Sequence, residues 1–219
     1  MRSLTQSFSL PVLGLLLFGG VASAQTAFPV PVTQSAMIQI DGPKKGANAG
    51  RYFNVEGKSH DKYMNYGVLR FETKGLKADL DKKFGAGKYK ITGIAVQMTQ
   101  SNAAFTADGG VQFFFSTDDK ADIKSATSPL KYPYNPNGPH LHGESLAKAT
   151  FSKSGEKADP TKPHPIDYDL FKGEPGQKSL LAALSQGKTV TLIVAETDPA
   201  VAATWSAKTI ALTVKAAPK

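Results

Sequence analysis

Cysteine is absent from all 219 residues, which excludes disulfide staples, thiolate metal sites and a cysteine nucleophile. Tryptophan occurs once and arginine three times, at Arg2, Arg51 and Arg70. Bidentate reading of phosphates or base edges favours arginine, so it has little to work with here. Also missing are a Gly-x-Ser-x-Gly elbow, a Walker loop and a His-Glu-x-x-His helix, and on that ground the chain reads as a non-enzyme. Beyond residue 24 no apolar run approaches the roughly 20 residues a membrane helix needs, so the expectation is a chain that does not span a membrane.

What is present in quantity is lysine. Of the 26 basic residues 23 are Lys, set against 18 acidic ones for a net charge of +8. They fall singly or in pairs such as Lys44-Lys45 and Lys82-Lys83, without the dense basic run of a nucleic-acid patch. No nucleic-acid partner is expected. A solvated, solubilising surface and an acidic partner both fit this pattern.

At the N-terminus Arg2 precedes an apolar run from Leu10 to Val21 and then Ala22-Ser23-Ala24. A basic residue, a short apolar segment broken by glycines and a small-residue end are the marks of a secretory signal peptide. Residues 1–24 are expected to be removed before Gln25, leaving 25–219 as one domain that is secreted, periplasmic or at the cell surface.

The rest of the chain repeats short β-branched or aromatic runs bounded by Gly, Asn, Asp or Pro. That pattern predicts strands at Met37–Ile40, Tyr52–Glu56, Val68–Thr73, Lys88–Thr99, Val111–Thr117, Ala149–Ser152, Ile166–Phe171, Thr189–Glu196 and Ile210–Lys215. Ile94, Val96 and Met98 mark the buried side of a strand bent near Gly93, and Val190, Leu192 and Val194 oppose Thr189, Thr191 and Ile193. One helix is predicted over Gln177–Gln186, where Leu180, Leu181 and Leu184 make an apolar face that Gly187 ends. The stretches 117–149 and 155–164 read as long loops with the character of binding loops. The fold class is all-β, a jelly-roll-like antiparallel sandwich with one short helix.

Tyr52-Phe53-Asn54-Val55-Glu56, Asn65 to Phe71 with its Leu69-Arg70-Phe71, Ile91 to Val96, Gly187 to Val194, Ala203-Thr204-Trp205-Ser206 and Ile210 to Val214 together carry a resemblance. The chain resembles the secreted DNRLRE-type, carbohydrate-binding-module-like β sandwiches. Its second half is similar to surface proteins bearing a PEP-CTERM sorting tail, although no such tail stands between Val214 and Lys219. The resemblance implies a jelly-roll-like sandwich that binds a polysaccharide or sits in a surface matrix, with no catalytic residues.

Three constellations are candidates for chemistry. Tyr132 and Tyr134, with Lys131, Asn135 and Asn137 as polar neighbours, form a platform on which a pyranose could stack; alternatively these rings pin a proline-rich loop. Tyr63 and Tyr66, flanked by His60, Lys62 and Asn65, form a second patch, while Trp205 reads as a core anchor. His140-Leu141-His142, if on a strand, puts two imidazoles on one face for copper or zinc. It echoes the histidine pairs of cupins and copper-zinc superoxide dismutases, but Glu144 comes too early for the first and only His164 follows for the second. The other reading is a polar loop carrying surface imidazoles. Asp118 and Asp119, with Asp122 nearby, could hold a structural calcium at a strand end, without an EF-hand pattern. No other cofactor is implied. The expected partner is therefore a polysaccharide, acidic ones included; a matrix protein without a sugar ligand, or a small metal-binding protein using His140 and His142, are the alternatives.

Overall fold

The computed structural model describes residues 25–101, 105–153 and 165–219. The predicted signal peptide, like His164, lies outside them. Strands in chain order are β1 (Thr26–Pro31), β2 (Gln34–Gln39), β3 (Gly42–Pro43), β4 (Tyr52–Glu56), β5 (Tyr66–Phe71) and β6 (Tyr89–Thr99). They continue with β7 (Gly109–Ser116), β8 (Gly143–Phe151), β9 (Pro165–Asp169), β10 (Val190–Glu196), β11 (Ala202–Ser206) and β12 (Ala211–Pro218). The fold is an all-β sandwich, as the pattern predicted: a four-stranded sheet, β1-β12-β6-β9, faces a six-stranded one, β3-β2-β5-β10-β7-β8, and β11 pairs with β4 beside them. All pairings are antiparallel.

Between the sheets lies one large core. Ile94, Val96 and Met98 of β6 meet Leu69, Phe71, Phe113, Phe115, Leu192 and Val194 of the larger sheet, and Trp205 is fully buried among Phe53, Phe151 and Tyr168. Phe53 lies so close to β5 that a Cβ on Gly67 would stand 2.1 Å from its Cζ, so this position requires glycine. The bend expected near Gly93 is a register shift in the pairing of β6 with β12, between Lys215 and Ala216.

Two α-helices form among the described residues, where one helix was predicted. α2 (Gly176–Gln186) buries Leu180, Ala183 and Leu184 and ends on Gly187 at φ 65°, as expected. The addition is α1 (Lys74–Phe84), which buries Leu76 and Leu80 against the same core. Only one apolar residue per turn, among lysines and aspartates, gives α1 too narrow a stripe to stand out in the sequence. β1 was missed because Pro29 and Pro31 interrupt it; as an edge strand paired only with β12, it has an outer side where no amide is needed.

The central strands of the larger sheet are buried on both faces. β5 is buried along its whole length and β10 through Ala195. Its outer face, Ala36, Ile38, Tyr66, Val68, Ile193 and Ala195, packs against Ile123, Leu130, Tyr132 and Leu141 from the long segment between β7 and β8. Residues 117–142 are thus a third layer, held down by an apolar underside.

Candidate functional site

This third layer decides the fate of the tyrosines. Tyr132 is 8% exposed, and its hydroxyl donates to Glu196 Oε1 at 2.5 Å. Tyr134 packs its ring 5.2 Å from Tyr66 and 5.1 Å from Phe114, and its hydroxyl donates to the Leu141 carbonyl at 2.9 Å. Burial pushes the phenols of Tyr66, Tyr132 and Tyr134 above the ordinary tyrosine range. The expected platform is corrected: both rings point into the cover and pin it to the sheet. The neighbours are on the surface. Lys131 Nζ donates to the Asp41 carbonyl at 2.6 Å, and Asn135 accepts at Oδ1 from the Asn137 amide at 3.0 Å.

The histidine pair is corrected as well. His140-Leu141-His142 lies in the loop before β8, and Leu141 has φ 52°, outside any strand conformation. Leu141 is fully buried while His140 and His142 are exposed on either side of it. Asp118 organises the loop: Oδ1 accepts from the amides of Lys120 and Ala121, and Oδ2 from that of Leu141. Asp119 is exposed. Among the described residues no three His, Asp or Glu side chains come together to hold a metal.

In the second patch Tyr66 is buried and Tyr63 is 53% exposed, with Lys62 Nζ 5.2 Å from its ring centroid. Asn65 is fully buried and donates from Nδ2 to the Tyr63 carbonyl. Tyr63 is therefore the exposed ring of the four tyrosines singled out by sequence.

A groove of about 660 Å³ runs along β2. β3 is two residues long and pairs only with Ile38 and Gln39, so among the described residues no strand lies beside the outer side of Gln34–Ala36. Thr33, Gln34, Ser35 and Ala36 line the groove at this edge. Four ammonium groups surround it: Lys44 and Lys45 after β3, Lys124 from the third layer, and Lys208 between β11 and β12. No carboxylate is among the lining residues, and the two ion pairs among the described residues, Lys77–Asp81 and Lys172–Asp169, lie elsewhere. Asp122, next to the wall, accepts at Oδ1 from the amides of Lys124 and Ser125; its hydrogen bond from the Ser125 hydroxyl, first of several, holds it below the usual carboxylate range. The groove is thus a concave strip lined by four lysines that form no ion pair among the described residues, with a floor that mixes polar and apolar side chains. In the sequence only Lys44-Lys45 is a visible cluster. Lys124 and Lys208 join it through tertiary structure, and no local signal announces them.

Fold and groove together define a β sandwich with a lysine-lined groove along one sheet edge. No protein-family model matches the chain, and no curated protein is similar to it in sequence.

Proposed function

We propose that the protein is a non-catalytic, exported β sandwich that binds an acidic polysaccharide, and that the groove along β2 receives it. The observation that carries this reading is the convergence of Lys44, Lys45, Lys124 and Lys208 on one concavity without a carboxylate among its lining residues. Uncompensated like charges repel one another and raise the local concentration of polyanions. Gln34 and Ser35 supply amide and hydroxyl groups for sugar hydroxyls, and an open groove along a strand suits an extended chain better than a compact ligand. The resemblance to carbohydrate-binding sandwiches supports the same reading, as Ala22-Ser23-Ala24 supports export.

Affinity electrophoresis through gels containing a polyuronate, a sulfated galactan or a neutral glucan tests it. Retardation is expected in the acidic gels only, and loss of it in a variant with all four lysines changed to Gln, with the melting temperature unchanged. Equal migration in all gels, or retardation that survives the four changes, refutes the reading. A matrix role without a sugar ligand is the second reading, favoured by the unpaired side of Gln34–Ala36, since such edges template strand addition. Concentration-dependent light scattering of the purified chain at physiological salt would favour it.

A further inference from the structure

On β2, β5 and β10 the outer face of the larger sheet is apolar except for one row, which continues onto β7. Gln34, Arg70, Thr191 and Ser116 stand opposite one another on β2, β5, β10 and β7, and directly opposed residues share a face with Cβ atoms about 5 Å apart. Gln34, at the outer end, lines the groove. Arg70 and Thr191 are buried, 8% and 0% exposed, beneath the start of the third layer.

Neither is satisfied. Arg70 Nη2 donates to the Ala121 carbonyl at 2.6 Å, but its Nε has no partner among the described residues, and nor does Thr191 Oγ1. No ion pair among the described residues reaches the guanidinium. Of the acidic side chains of the covering segment, Asp118 accepts from three backbone amides, Asp122 from two amides and the Ser125 hydroxyl, and Asp119 is exposed; Asp122 feels the charge of Arg70 but makes no ion pair with it. A buried guanidinium normally meets an oxyanion through its planar fork, and leaving one without it is costly. A single water could satisfy one donor, and Asp122 offsets the charge only from beyond ion-pair distance.

We propose that Arg70 and Thr191 form an oxyanion seat beneath residues 118–124, at the inner end of the lysine groove, that takes one carboxylate or sulfate group. The segment lying on Arg70 at Ala121 continues directly into Ile123 and Lys124 of the groove wall, so the seat and groove share one piece of chain. The seat itself does not depend on the polysaccharide reading; assigning its anion to that ligand does.

Thermal unfolding of the full chain is followed against sodium sulfate and sodium glucuronate at ionic strength held constant with sodium chloride. An anion-specific rise in melting temperature is expected, growing with the logarithm of anion concentration c once that exceeds the dissociation constant, because a ligand bound only to the folded state stabilises by RT ln(1 + c/Kd). Arg70→Met should abolish the anion-specific rise, Arg70→Lys should weaken it, and Thr191→Val should move its onset to about tenfold higher concentration, the effect of losing one hydrogen bond to a charged group. Should Arg70→Met fail to fold, the Lys and Val variants still decide. No anion-specific rise in the wild type, or an identical rise in the Arg70 variants, overturns the proposal. The same variants in the acidic gels distinguish the sources. Retardation lost with Arg70 assigns the seat to the polysaccharide. Retardation retained while the anion-specific rise is lost assigns it to a free anion, and an anion-specific rise in a protein that no gel retards keeps the seat while ending the polysaccharide reading.

Discussion

Tyr132 donates its phenolic hydrogen to Glu196 at 2.5 Å, tying the layer formed by residues 117–142 to the end of β10. The ring that carries this hydroxyl is buried against the sheet with Ile38, Tyr66 and Leu130. Removing the hydroxyl alone with Tyr132→Phe leaves a partly buried carboxylate without its donor and should cost about 1–3 kcal/mol. Changing Tyr132 and Tyr134 together to Ala should cost more, several kcal/mol on the scale of buried aromatic truncations. Retention on acidic gels should persist in the molecules still folded. Urea unfolding and affinity electrophoresis of the same samples check this, and unchanged stability with lost retention would restore the tyrosines as a ligand platform.

Burial raises the Glu196 carboxyl above its ordinary value near 4.5, although the Tyr132 hydroxyl and Lys58 pull it back. A raised carboxyl binds its proton more tightly in the folded than in the unfolded chain. Its contribution is therefore most favourable below the unfolded value and is lost as pH climbs from about 4.5 through the folded value. Relative to Glu196→Gln, which keeps an acceptor for Tyr132, the wild type should lose stability as pH rises from 4 to 7. Urea midpoints for both proteins at intervals across that range give the comparison, and a difference independent of pH contradicts it.

Gly67→Ala should lower the melting temperature steeply, because its Cβ would overlap the Phe53 ring in a closely packed core. Combining it with Phe53→Leu should recover part of the loss, a coupling that a double-mutant cycle from circular-dichroism melts measures directly. Additive effects would show that Phe53 is not what Gly67 accommodates.

Retention on acidic polysaccharide should weaken steeply with salt and vanish near 1 M sodium chloride, where the screening length falls to about 3 Å. Binding through stacking and neutral hydrogen bonds would not respond in this way. A retardation series at increasing salt separates the two.

Export is expected to proceed with cleavage between Ala24 and Gln25. N-terminal sequencing of protein recovered outside the cytoplasm checks it, and a start at Met1 rules it out.

The amino-acid sequence alone determined the sandwich. Alternation with a period of two marked β6 and β10, and Leu180 and Leu184 before Gly187 marked α2, because these signals depend only on which side of a local element meets the core. Single residues with few alternatives were also legible, as with Trp205. Tertiary structure decided the rest. A long polar segment looks the same whether its few apolar residues reach outward or down, and only the uncovered face of β5 and β10 made Tyr132, Tyr134 and Leu141 an underside. The histidines lost their shared face because Leu141 needs to be buried and its backbone turns to allow it. The groove was decided last. Lys44, Lys124 and Lys208 belong to three distant segments, and charges so far apart in sequence become one field only when β2, the third layer and the β11–β12 connection meet.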